Sequence, residues 1–457
     1  MEGTQTVRHH HTGSRPHIQG ASRPLRVRHS AQNLTDGAGL VLVRKLFGRF
    51  GLAGWIDGRT EKEKGFFRPG LMTEVWIALQ LYGGGVIDDL PLLDHRGVRR
   101  IFGWVRVPDP TTFGRWLRRA SGRMVPLLDE FLWRMVRQRW ALAGGVPKKL
   151  TLMLDSTVVV RYGQKQAGSE KGYNPKKRGR PSHHPLVAFA KETGDCFGVR
   201  WRAGNAHTAE GATEWLEELV GRLKDAGVGE ITVRLDKGFI SKKMVETLQE
   251  LDVLFLLKVP RQPWLEGFRK QWHHSRKGED IFPEGEELWS ATGSLWGARL
   301  LTIQTRKPLS TAEGTLDLDT YEVGLQADVL TNIPGIHALT AWRMYNAGAV
   351  VEHRIEELGQ LSAGKTAVND LGGNALLWGL SAVTYQTLHT LRRHFLTGSW
   401  RTAQPRRIRL RVIRLPAKLT THARKTYLQL LRTEPVRLRT LVALRGLNHD
   451  LPPPASA

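Results

Sequence analysis

The sequence predicts an α/β fold: a mixed sheet with helices on its faces, an all-helical segment before it and a β-rich insertion late in it. Three observations carry that expectation. From residue 149 to about 260, short apolar runs rich in β-branched residues alternate with helical patterns. Before 149 the apolar periodicity is helical. Between 261 and 335 it changes to strand-type alternation.

The chain has 457 residues, enough for more than one core, and ordinary hydrophobic and charged fractions of 40% and 24%. Its charge is not ordinary: 68 Lys and Arg against 43 Asp and Glu give +25, which points to a polyanionic partner, nucleic acid first. A single cysteine, Cys196, rules out an internal disulfide framework and any cysteine-built zinc finger, and fits a reducing compartment. No apolar run reaches about 18 residues, so no membrane span is expected. The first residues lack the apolar stretch of a signal peptide.

Residues 1–36 read as a basic disordered arm, with Arg8, Arg15, Arg23, Arg26 and Arg28 and few apolar anchors. Residues 37–145 read as a helical segment suited to DNA binding. Leu40, Val43 and Phe47 share one face there, as do Met72, Val75, Leu79 and Tyr82. Asp109-Pro110-Thr111-Thr112 is a helix start. The helix after it has Phe113, Trp116 and Leu117 on one side and Arg115, Arg118 and Arg119 on the other. Such a helix can dock on DNA or simply show a solvated basic face.

Residues 146–260 read as the first part of the core. Lys149–Val160 (KLTLMLDSTVVV) is a buried strand carrying Asp155. A basic loop follows, then a hairpin of Leu186–Ala190 and Cys196–Trp201 across Glu192-Thr193-Gly194-Asp195. A helix is expected over Thr208–Lys224 with Thr208 as its cap. Next come the strand Glu230–Gly238 (EITVRLDKG) carrying Asp236, a helix over Lys242–Glu250 and a strand over Val253–Val259. Three antiparallel-capable strands, then helix, strand, helix, strand, is the order of a ribonuclease-H-like core.

Residues 261–335 form the β-rich insertion, with strands near Arg299–Thr305 and Leu318–Val323. It contains Trp264, Trp272, Trp289 and Trp296, which suit a small β core better than stacking on an unpaired base. Residues 336–397 read as the second part of the core, with helices over Thr340–Leu361 and Leu371–Phe395. Residues 398–457 are a basic C-terminal region. From 392 to 445 there are fifteen Lys and Arg and one acid, Glu434, and the alternation at 406–414 reads as a strand with a cationic face.

An ionised Asp inside an apolar strand is costly unless something pairs with it. Two strands that each deliver an Asp suit a divalent-metal site at a sheet end, and hard cations favour oxygen donors. A third carboxylate is needed after the insertion; Glu352, Glu356 and Glu357 are the candidates, and residue patterns do not choose among them. The loop KQAGSEKGYNPKKRGRPSHH, residues 165–184, clusters Lys176, Lys177, Arg178 and Arg180 beside Tyr173. It suits a phosphate backbone with an aromatic packed on sugar or base.

Several motifs, in order, resemble the DDE-type transposases of bacterial insertion sequences. They are LDSTVVV with Asp155, Gly172–Lys177 (GYNPKK), Ser182-His183-His184-Pro185-Leu186, Gly204-Asn205-Ala206-His207-Thr208 and Asp236-Lys237-Gly238-Phe239. The similarity spans about 37–430 and is nearest to the subgroup with a β-strand insertion before the catalytic Glu. It implies a ribonuclease-H-like fold, Mg²⁺ or Mn²⁺ (two ions), and double-stranded DNA with terminal inverted repeats as partner. It also implies transfer into target DNA by cut and paste, and a homodimer in the synaptic complex. By the resemblance, Asp155, Asp236 and Glu352 are catalytic and hold the metals. Glu352 is selected by a signature in which Tyr precedes Glu by seven residues, met here by Tyr345. The signature's Arg and Lys positions hold Gly348 and Gly359, and Arg343 and Arg354 are the nearby cations that could replace them. Tyr173, Lys176, Lys177, Arg178, Arg180, Tyr345 and Arg354 are the expected DNA contacts. The location implied is the bacterial cytoplasm, at the nucleoid. Two other readings fit the same residues: a catalytically silent DNA-binding derivative, and a two-metal nuclease on the same core.

Overall fold

The computed structural model describes residues 33–60, 66–161, 166–172, 174, 177–275, 286–310, 316–347, 350–363, 368–423, 425–430 and 443–447. A short strand, β1 (Leu34–Thr35), leads into helices α1 (Leu40–Phe50), α2 (Leu52–Asp57), α3 (Pro69–Tyr82), α4 (Arg96–Phe102) and α5 (Pro110–Leu142). Local chemistry sets their ends. Pro69 opens α3 and the left-handed Gly83 closes it. Asp109 caps α5, accepting from the Thr112 amide at 2.9 Å.

The core strands follow: β2 (Lys149–Ser156), β3 (Val159–Val160), β4 (Ser182–His183), β5 (Leu186–Ala190), β6 (Cys196–Arg200), then α6 (Ala212–Asp225), β7 (Glu230–Leu235), α7 (Lys242–Glu250) and β8 (Leu254–Val259). In the sheet their order is β6-β5-β2-β7-β8. β5 and β6 run antiparallel to their neighbours; β7 and β8 run parallel to β2. That is the arrangement expected of a ribonuclease-H-like core.

The insertion strands are β9 (Arg269–Ser275), β10 (Glu287–Leu295), β11 (Ala298–Ser310) and β12 (Leu316–Thr331). They extend the same sheet, because β12 pairs antiparallel with β8. After them come α8 (Ala338–Asn346), α9 (Val350–Leu358), α10 (Leu371–Thr390), α11 (Pro405–Ile408) and the hairpin β13 (Ala417–His422) and β14 (Lys425–Leu430), to which β1 adds.

Helices cover both faces of the sheet. On one face a continuous core joins the N-terminal helices to α10 and to Met153, Val187, Phe189 and Val199 of the sheet. The N-terminal helices therefore share their core with the sheet and α10. On the other face α6 and α7 bury Trp215, Leu219 and Leu248 against Leu152, Val233 and Phe255. A third cluster packs Ala341 and Tyr345 of α8 against Leu301, Ile303 and Val329 of the insertion.

Several expectations need correction. The arm stops short of residue 36, since Leu34–Thr35 is a strand; residues 1–32 lie outside the described residues. Thr208 caps nothing. The helix begins at Ala212 after a left-handed Gly211, because residues 207–210 wrap Arg202, whose Nη1 donates to the carbonyls of His207, Thr208 and Glu210. The helix expected over 340–361 is two helices, α8 and α9. Residues 406–414 form no strand: Pro405 starts a helical turn that continues through Arg409–Ile413. Ile408, Val412 and Ile413, spaced as on a helix, are buried, while Leu410 is 52% exposed.

Candidate active site

The parallel register of β2 and β7 does the first part of the assembly. Lys149 through Leu154 stand opposite Glu230 through Leu235, so the next pair in line is Asp155 and Asp236. Adjacent strands lie about 4.8 Å apart, which brings the two carboxylates together at the carboxyl ends of their strands. β7 and β8 repeat the relation, and Lys258 falls next to Asp236 on its other side. Glu352 comes from the first turn of α9. Asp155, Asp236 and Glu352 line one cleft of about 350 Å³, together with Arg234, Lys237, Lys258, Tyr345 and Asn346.

The electrostatics show how crowded the cleft is. The carboxyl of Asp155 is pushed up to about 7, first by burial and then by the charges of Asp236 and Glu352; the Ser156 amide and Arg234 oppose the shift. The Ser156 amide donates to Asp155 Oδ1 at 2.7 Å. Tyr345 Oη donates to Asp236 Oδ1 at 3.0 Å, and its acidity is lowered by burial and by Asp236. Arg234 Nε donates to the Tyr345 carbonyl at 2.8 Å and its guanidinium stacks over the same ring at 4.3 Å.

Three carboxylates facing one cleft, one of them held protonatable near neutrality first by burial and then by the others, form a donor set whose chemistry fits a hard divalent cation. Among the described residues no three His, Cys, Asp or Glu side chains are already grouped closely enough to hold one ion. The fit therefore rests on donor type and mutual repulsion.

The quoted motifs join into one knot behind Asp155. His184 accepts through Nε2 from Ser156 Oγ at 3.0 Å and donates through Nδ1 to the Ala206 carbonyl at 2.9 Å. The Gly204 amide donates to the Gly168 carbonyl at 2.9 Å. Gly204 lies so close to Ser182 and Glu170 that a Cβ there would sit 1.9 Å from the Ser182 carbonyl oxygen.

The other expected residues are placed as follows. Tyr345 is buried against Asp236 and forms part of the carboxylate cleft. Arg354 turns away from the cleft and pairs with Glu357 at 3.0 Å. Glu357 is buried and also takes a bidentate grip from Arg392 at 2.5 and 2.7 Å, whereas Glu356 is exposed. Lys177, Arg178 and Arg180 are exposed on the basic loop; Tyr173 and Lys176 lie outside the described residues, as does Gly348. Gly359 is exposed beyond the end of α9, and Arg343 is exposed on α8. Trp272 and Trp289 do not fill a β core. They flank Arg306, whose guanidinium lies 4.7 and 4.4 Å from their rings.

Sequence reasoning missed Arg234, Lys237 and Lys258. Arg234 and Lys237 flank the Asp236 position in EITVRLDKG, and strand alternation puts Arg234 on the face of Asp236. Lys258 interrupts the apolar run LFLLKV, and an unexplained charge in a buried strand was the available signal.

The family model described as transposase DDE domain group 1 matches residues 18–449. A comparison with curated proteins gives no match. Among solved structures, the chain is similar to piggyBac transposase in a synaptic complex with hairpin DNA. Identity is 13% and the TM-score 0.38, over 82% of this chain and 80% of that one. Among the described residues no helix is long and apolar enough to cross a membrane.

Proposed function

The chain belongs to the transposase DDE domain family, and on that premise we propose that it cleaves DNA at transposon ends and joins the freed 3′ ends to target DNA by cut and paste. The observation that carries this reading is the meeting of Asp155 and Asp236, on neighbouring parallel strands, with Glu352 in one cleft. In this reading those three side chains hold two Mg²⁺ or Mn²⁺ ions. Bound there, such ions would lower the pKa of an attacking water or 3′-hydroxyl and neutralise charge on the phosphodiester.

The remaining roles fall to the chain's own residues. Tyr345 holds Asp236 in one orientation through its hydroxyl. Lys258 and Lys237 give the cleft cationic walls that would draw a DNA phosphate towards the carboxylates. Arg234, stacked on Tyr345, sets the position of that ring. Lys177, Arg178 and Arg180 would track the backbone of duplex DNA carrying the terminal inverted repeats. Joining two ends calls for two copies of the chain, so the working form proposed is a homodimer.

Incubation of the full chain with a supercoiled plasmid and Mn²⁺, beside Asp155→Asn, tests the reading. Nicking by the unaltered chain alone is expected, and a pre-cut transposon end should be joined to the plasmid. DNA binding without cleavage in either sample would make it a silent DNA-binding derivative. Hydrolysis without joining would make it a nuclease.

A further inference from the structure

Beyond the sheet, β3 and β4 prolong the β2–β5 hairpin. Val159 pairs with His183 and Val160 with Ser182, and the Arg161 amide donates to the Pro181 carbonyl at 2.8 Å. Arg161 thus stands at the root of the loop that carries Lys177, Arg178 and Arg180. Its side chain is half-buried, yet Nε and Nη2 are shielded from solvent and neither meets a hydrogen-bond acceptor among the described residues. Burial acts on its basicity, pushing the guanidinium down to about 10, and no carboxylate among the described residues offsets that.

Arg409, in the helical turn after α11, shares these unmet Nε and Nη2 donors but stands away from the basic loop, whereas three other buried arginines are paired. Arg139 is paired with Asp195, Arg392 with Glu357 and Arg269 with Asp328, each through two nitrogens. A desolvated guanidinium with unmet donors is costly, and native structures rarely keep one without a purpose. The Nε–Nη2 edge of Arg161 is the fork that matches a phosphate.

We propose that Arg161 receives a backbone phosphate of duplex DNA lying along the basic loop. The assignment rests on the DNA-directed reading above. Six residues of extended chain separate Arg161 from Asp155, a span of at most about 20 Å. That is on the order of six base pairs of duplex from the bond under attack, at about 3.4 Å per step. A rotamer change of this half-buried side chain would carry the fork outward to meet the phosphate.

The test uses the full chain and a fluorescein-labelled duplex of mixed sequence longer than three helical turns. Binding is followed by polarisation in EDTA across a range of salt. Arg161→Gln is expected to bind about tenfold more weakly at about 0.1 M salt, and the slope of log K against log salt should become shallower by about 0.9, one phosphate contact. Its melting temperature should stay level or rise, because an unpaired buried charge has gone. Arg161→Lys should keep the slope. Unchanged affinity and slope in Arg161→Gln overturn the assignment and leave the transposase reading standing. So does a lowered melting temperature with DNA binding unchanged per folded molecule, which would make Arg161 structural. Failure of the unaltered chain to bind duplex DNA removes both.

Discussion

The phenol of Tyr345 donates a 3.0 Å hydrogen bond to Oδ1 of Asp236, while the carbonyl of the same residue accepts from Arg234 Nε. One residue at the end of α8 is thereby fastened twice to the β7 strand end. The residue is 5% exposed, and its ring has Arg234 and Lys258 over it. Tyr345→Phe keeps the ring and deletes only the hydroxyl. Partners that orient a metal-binding side chain are typically worth about 10- to 100-fold in affinity or activity. Nicking by Tyr345→Phe should therefore fall by about that factor and need more Mn²⁺, with little change in melting temperature. An unchanged Mn²⁺ requirement would remove Tyr345 from the orienting role.

Three glutamates within six positions of α9 should separate cleanly. Glu352 faces the cleft, Glu356 is exposed, and Glu357 is gripped by Arg392 and Arg354. Glu352→Gln should abolish nicking and leave thermal unfolding as it was. Glu356→Gln should change neither. Glu357→Gln should lower the melting temperature sharply, since breaking a buried ion pair costs on the order of 3 kcal/mol. Nicking assays and thermal melts on the three variants decide the matter; loss of nicking in a well-folded Glu356→Gln would overturn the choice of Glu352.

The same three residues show what a single sequence conceals. Each of them is an acid on a helical pattern, and only the partner of Glu357, thirty-five positions away, reveals that it is structural. The strands ending on Asp155 and Asp236 were legible because an acid inside a β-branched apolar run has no ordinary packing reason to be there. Lys258 was not legible as their neighbour, because strand register between β7 and β8 is a tertiary fact. At 406–414 the alternation of Arg with Ile, Leu and Val satisfies both periods. Burial of Ile408, Val412 and Ile413 decided for the helix.

Acid should destabilise the fold through its buried imidazoles. His183 and His184 are lowered by burial, His389 lies well below its usual value for the same reason, and His394 is pushed down to about 4 by burial and by Arg139. Each is depressed in the folded state, so its neutral form contributes stability above the unfolded value, near 6.5. That contribution is lost as pH falls from about 6.5 towards 4, where the unfolded chain takes up protons that the folded chain refuses. The melting temperature should drop steeply between pH 7 and pH 5, and His394→Gln should make the drop shallower. A flat profile over this range would mean that these imidazoles titrate freely in the folded chain.

Two glycines should respond to alanine in opposite directions. At Gly204 a Cβ would lie 1.9 Å from the Ser182 carbonyl oxygen and 2.5 Å from that of Glu170, and backbone atoms cannot step aside as a flexible side chain can. Gly204→Ala must therefore pry apart the knot through which His184 reaches Ser156, next to Asp155. Overpacking of this kind costs about 1–3 kcal/mol. The variant should melt earlier and also lose nicking activity, because the strand end carrying Asp155 is displaced. Gly122, exposed on α5, has nothing within 4 Å of its Cβ position. Gly122→Ala should stabilise the helix by about 0.5–1 kcal/mol and leave nicking alone. If both variants melted alike, the close approach at Gly204 would not be what holds the base of the basic loop.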